Sequence, residues 1–254
     1  MSILILNGKT SNSKPDESLV INKQNRIWAP EINGYMPYDI SINGLNRPPV
    51  LNGCVLNLPL YHPITSSAAF KSLDRYGHLA TVTGAIWTPQ GRYFDGTDDT
   101  IVTATNIGIS GQADRTIEIW AKPSADGLAV NWGTFNNYQQ WALQAQTGTW
   151  RCSDGAITLD STKAYSSTVF QHVVCTYTGS DDIAKIFVDA VQYGGSLQFS
   201  DNVNTLDSPV KIGERVTVNT FDYAGIIGEV RIYSRALTLS EVQRNYLVTK
   251  WRYV

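Results

Sequence analysis

Residues Thr116 to Ala121 read Thr-Ile-Glu-Ile-Trp-Ala, an alternation that suits an extended strand and no helix. Successive side chains of a strand point to opposite faces. Ile117, Ile119 and Ala121 therefore share one face, and Thr116, Glu118 and Trp120 the other. Such a period-two run marks a strand with one face in a core. Lys122-Pro123 closes it, because proline has no N–H to give to a central ladder. Upstream, Tyr93-Phe94 leads into Asp95-Gly96-Thr97-Asp98-Asp99, residue types that accept turn conformations, and Ile101-Val102-Thr103 resumes the strand pattern. The expectation is an all-β chain built from hairpins.

Three stretches in order carry a family resemblance. They are FDGTDD at 94–99 with RTIEIWAKP at 115–123, FQHVVCTYTGS at 170–180 with IAKIFVD at 183–189, and GIIGEVRIYSRAL at 225–237. Together they resemble the signature of laminin G-like, concanavalin A-like jelly-roll domains, over roughly residues 50–254. The resemblance implies a two-sheet jelly-roll sandwich. It implies no single function, because such folds serve as lectins, adhesion modules, glycosidases and structural shells.

Residues 1–49 fall outside that resemblance and have a different texture. Asn7-Gly8, Asn33-Gly34 and Asn43-Gly44 are turn signals, since both residues accept positive φ, and Pro15, Pro30, Pro37, Pro48 and Pro49 interrupt pairing. The region reads as an extended arm with one or two small hairpins, either layered on its own sandwich or reaching a neighbouring subunit. The jelly-roll domain then runs over 50–254, opening with a strand that carries Val55, Leu56, Leu58 and Leu60. It ends in a short helix. Thr238 and Glu241 form a capping box, each side chain satisfying the other's backbone donor, and Leu239, Val242 and Tyr246 fall on one helical face. The aromatic tail Trp251-Arg252-Tyr253-Val254 has the sandwich or a partner to tuck against.

Composition narrows the partners. A net charge of −2 without a basic run argues against a nucleic acid held by phosphate neutralisation. No apolar run approaches the ~18–20 residues of a spanning helix. The opening MSILILNGKTSNS has a short apolar run and no basic residue ahead of it, unlike a secretory signal. The expected location is a virion surface or the extracellular space, reached without such a signal. Cys54, Cys152 and Cys175 are an odd number and widely spaced, which reads as buried free thiols rather than a disulfide framework. His172 reads as a packed, hydrogen-bonded strand residue.

Glycosidases of the resembled fold place two carboxylates beside the scissile bond, drawn in one branch from an E-x-D-x-(x)-E strand that this sequence lacks. No catalytic residue is assigned, and the expectation is a non-enzyme. The resemblance also implies calcium, a hard ion wanting six to eight oxygens. Asp95, Asp98, Asp99 and Glu229 are the candidate ligands; the same aspartates also read as turn formers without metal. Gly127 to Trp150 concentrates aromatics and amides, and Trp132, Asn136, Tyr138 and Trp141 are its candidate glycan contacts, with core packing and a protein interface as the competing uses. Two functions follow. One is a structural protein on a bacteriophage virion, a capsid decoration or accessory subunit that binds neighbouring subunits and itself; the other is a carbohydrate-binding module or adhesin.

Overall fold

The computed structural model describes residues 26–29, 34–37, 49–199, 203–215 and 221–253. Near the N-terminus, β1 (Arg26–Ala29) pairs with β2 (Gly34–Pro37) in a two-stranded sheet of its own. The Asn7-Gly8 and Asn43-Gly44 turns lie outside the described residues.

From residue 49 the chain builds two sheets, strand by strand. The early strands are β3 (Cys54–Leu58), β4 (Ala69–Lys71), β5 (Leu79–Thr83), β6 (Ile86–Thr88), β7 (Gly91–Asp95), β8 (Thr100–Asn106) and β9 (Arg115–Pro123). The middle strands are β10 (Gly127–Gly133), β11 (Gln140–Gln146), β12 (Thr149–Ser153) and β13 (Thr158–Ala164). The last are β14 (Gln171–Thr178), β15 (Ile183–Val188), β16 (Val191–Gln198), β17 (Pro209–Ile212) and β18 (Ala224–Tyr233). The first sheet runs β13-β12-β11-β10-β17-β8-β5-β4; the second runs β16-β15-β14-β9-β18-β7-β6, with β3 also on β18. Every described pairing is antiparallel, and order departs from sequence around β17 and β18 and where β14 meets β9 and β8 meets β5, the crossovers of a jelly roll.

Period two does the sorting. In the first sheet Leu143, Cys152 and Leu159 are register partners facing inward. In the second, Ile117, Ile119 and Ala121 of β9 join Val173, Cys175 and Tyr177 of β14 and Val230 and Ile232 of β18 in the same core. Trp132, Trp141 and Trp150 fill the gap between the layers.

Two expectations are corrected here. The strand carrying Thr116 to Ala121 has both faces buried, not one, because a C-terminal helix covers its other side. Cys152 and Cys175 are not free thiols: they form a disulfide between the two sheets, with Cα atoms 6.4 Å apart, and only Cys54 stays reduced. Wide sequence spacing concealed the pair, since β12 and β14 belong to different layers that stack face to face.

The helix is α1 (Leu239–Thr249), with Thr238 as N-cap and the capping box closed by Glu241. Its buried stripe is Val242, Asn245 and Thr249, while Leu239 points to solvent, so the apolar face read from the sequence is turned by about one position. A 3-10 turn over Lys250–Arg252 then sets Tyr253 on Trp120, ring centroids 4.6 Å apart, which settles where the tail goes.

Candidate functional site

Three groups of polar side chains stand out among the described residues: one buried beneath the helix, one on an exposed turn and one along the outer face of the first sheet. The first lies between the second sheet and α1. Register puts Glu118 of β9 opposite Arg231 of β18, and Trp120 opposite Glu229, so the two glutamates are diagonal neighbours on one face. Glu118 accepts from Arg231 at 2.9 Å, Tyr233 Oη at 3.0 Å and Asn245 Nδ2 at 2.7 Å, and His172 Nε2 lies 2.9 Å away. Arg231 also pairs with Glu229 at 2.8 Å, and Glu229 takes a longer 3.4 Å contact from Arg252.

Burial alone would raise the Glu118 carboxyl, but the Arg231 guanidinium and the His172 hydrogen bond outweigh it and hold the group down at about 2. A glycosidase pair needs one protonated carboxyl and an open path to substrate. Here a guanidinium bridges both groups and a helix closes the face. The cluster holds α1 in place.

Glu229 does not join the metal candidates: it is buried beneath the helix, with Oε2 held by Arg231 and Arg252, and the carboxylates that come together are Asp95, Asp98 and Asp99. Each of the three offers an oxygen within 4.8 Å of the others, on the turn between β7 and β8. Gly96 occupies φ +88°, which a β-carbon would strain. Asp99 is mostly buried and accepts from the Asp95 N–H at 2.7 Å; burial, together with the charges of Asp95 and Asp98, raises its carboxyl despite that hydrogen bond.

The aromatic platform divides. Trp132 and Trp141, named as glycan contacts, are fully buried, so neither ring has a face for a sugar. Trp132 Nε1 donates to the Ile109 carbonyl, and Trp141 packs on Tyr177 at 5.0 Å and Phe199 at 5.6 Å. Asn136 and Tyr138 sit on the β10–β11 loop, Asn136 exposed and Tyr138 half-buried with φ +66°. The loop's open aromatic is Phe135, 41% exposed, with the Arg215 guanidinium 4.1 Å over its ring.

What the tryptophans leave on the other side of the same strands is a row of polar side chains. Gln144, Arg151 and Asp160 are register partners across β11, β12 and β13, on the face away from the core. Gln144 Nε2 donates to Gln146 Oε1 at 2.9 Å, Arg151 Nη1 reaches the same oxygen at 3.3 Å, and Arg151 pairs with Asp160 at 2.9 Å. Thr149 Oγ1 adds a 3.0 Å bond to Asp160. Towards β17, Gln140 Nε2 donates to Asn131 Oδ1 at 3.2 Å, and Lys211 pairs with Glu214 at 3.0 Å. The Arg151 and Asp160 side chains are 24% and 34% exposed, whereas Gln144, Gln140 and Asn131 are buried, so the row is open at its β12–β13 end alone.

Amides, a guanidinium and a carboxylate in one row give and accept hydrogen bonds without unpaired charge. That chemistry suits a hydroxyl-rich ligand and supplies neither nucleophile nor acid–base pair. None of Gln144, Gln146, Arg151 or Asp160 was anticipated from the sequence. The signal was present: once Trp141 and Leu143 point inward, Gln144 must point outward.

No curated protein matches the chain in sequence. Solved structures share its fold at low identity. Trypanosoma rangeli sialidase in complex with sialic acid is 18% identical, with TM-score 0.61, over 79% of this chain and 34% of that one. The binding domain of Paraclostridial Mosquitocidal Protein 1 is 17% identical, with TM-score 0.57, over 77% of this chain and 52% of that one. The chain thus spans about a third of the sialidase and about half of that binding domain. A laminin G-like family model matches residues 95–243, more than half of the chain. The protein belongs to the concanavalin A-like lectin/glucanases superfamily.

Proposed function

We propose that the protein is a non-enzymatic binding module that holds a hydroxyl-rich glycan on the outer face of its first sheet. The observation that carries this reading is the row Gln144–Arg151–Asp160, polar, internally bonded and open at its β13 end. Two further facts support it. The buried Glu118 and Glu229 are bridged by Arg231 and covered by α1, which disfavours chemistry there. One similar structure is a binding domain, and another was solved with sialic acid. A glycan array on the full chain tests it, repeated with an Arg151→Ala, Gln144→Ala double variant. Binding that survives the double substitution, or no binding to any glycan, overturns it.

A second reading keeps the protein as a subunit of a larger assembly, a capsid decoration or accessory protein on a bacteriophage virion. Ile86 and Tyr93 support it: they are direct cross-strand partners at the β6 edge of the second sheet, 63% and 43% exposed. Exposed apolar pairs at an edge suit contact with another protein. Sedimentation with particles, and light scattering on the chain alone, separate this reading from the first. A structural calcium at Asp95, Asp98 and Asp99 belongs to either reading.

A further inference from the structure

Cys152 lies on β12 of the first sheet and Cys175 on β14 of the second, and their disulfide spans the core between the layers. Both residues are fully buried. Cys152 is flanked by its register partners Leu143 and Leu159, and Cys175 by Ile117 and Ile186, all in the same apolar core. Thiol–disulfide exchange requires a thiolate to reach a sulfur. With both sheets closed, no approach to either sulfur lies open.

We propose that this bond is made only while the chain is open between its two sheets and is sealed once they close. A chain that carries it has therefore folded in an oxidising milieu, and the bond then persists whatever the redox poise outside. Its formation is an exchange with a donor disulfide of the oxidoreductase or glutathione class. The thiolate of one cysteine attacks a donor sulfur and forms a mixed disulfide, expelling the donor's other sulfur as a thiolate. The second cysteine's thiolate then attacks the mixed disulfide and releases the remaining donor sulfur. The chain ends oxidised, the donor ends as two thiols, and the protons given up by the two cysteines finish on the donor sulfurs.

Once the sheets have closed, Cys54 cannot reopen the bond by internal exchange. It packs with Val174, Tyr233, Leu237 and Val242 on the far side of the second sheet, whereas Cys175 faces the opposite way. Burial pushes its thiol up to about 12, so it carries almost no thiolate for internal attack.

The test is a count of free thiols by mass. The full chain is unfolded and reduced, then refolded either with glutathione disulfide or with dithiothreitol, and alkylated in denaturant without further reduction. Oxidative refolding should leave one label, on Cys54, and reductive refolding three. Native protein folded reduced and then moved into glutathione disulfide should keep all three labels at least tenfold longer than the unfolded chain does. Three labels after oxidative refolding, a single label on Cys152 or Cys175, or native oxidation as fast as that of the open chain overturns the proposal. If the reduced chain does not fold, the reverse direction decides: oxidised native protein should resist dithiothreitol until denaturant is added, and prompt reduction in native buffer refutes the seal.

Discussion

Glu118 Oε1 and Arg231 Nη1 meet 2.9 Å apart beneath the C-terminal helix, with side chains only 1% and 4% exposed. Strand and helix are tied through this pair, since Asn245 of α1 reaches the other oxygen of the same carboxylate. Removing one partner of a buried ion pair leaves the other charge uncompensated, at about 3–5 kcal/mol. Glu118→Ala should lower the unfolding free energy by about that much, read from the denaturant midpoint. A loss below about 1 kcal/mol would mean that the network contributes little to holding the helix.

The same carboxylate sets an acid limit. Its folded value of about 2 lies below the usual 4.5 of a free glutamate. A group depressed in the folded state stabilises it fully above the unfolded value, and that contribution fades as pH falls towards the folded one. Thermal stability should therefore hold down to the ordinary carboxylate range and then decline between pH 4.5 and about 2. The decline should be shallower in Glu118→Gln, which has no proton to gain. Parallel pH profiles of the two proteins refute this.

At the helix start, Thr238 Oγ1 accepts from the Glu241 N–H, and the Glu241 carboxylate accepts from the Thr238 N–H at 2.9 Å. Thr238→Ala should cost about 1 kcal/mol, the typical worth of an N-cap. Faster hydrogen exchange confined to the first turn of α1 would locate the effect; unchanged exchange there would show that packing alone fixes the end.

Two substitutions on neighbouring strands should separate core from surface. Trp141→Ala removes a fully buried ring and should cost about 3–5 kcal/mol of stability. Arg151→Ala, on the open face, should shift the melting temperature little while abolishing glycan retention. The reverse pattern, a stable Trp141→Ala that loses its ligand, would restore the tryptophan platform.

Calcium should raise the melting temperature if Asp95, Asp98 and Asp99 hold it, because a ligand bound only by the folded state stabilises that state. The gain should vanish in Asp98→Asn and with chelator. Calorimetry that shows no calcium-dependent shift rules the site out.

Much of the fold was legible because alternation is local. Thr116 to Ala121, the Asp95 to Asp99 turn and the Thr238–Glu241 box each depend on neighbours in the chain, and each lies where the pattern put it. Two of the four candidate glycan contacts, Trp132 and Trp141, were misread because aromatic content was weighed above direction. Trp132 and Trp141 drew attention, while Gln144 and Arg151 on the opposite face of the same strands did not.

By itself, then, the order of residues marked the strands that alternate, such as Thr116 to Ala121, and where the helix begins, since these follow from periods of two and 3.6 along one chain. Which surfaces meet was decided only by tertiary structure. Cys152 found Cys175 because two sheets stack, and Glu118 became a buried anchor rather than an exposed carboxylate because α1 folds back over β9. Those contacts join residues far apart in sequence, and local pattern carries no record of such distances.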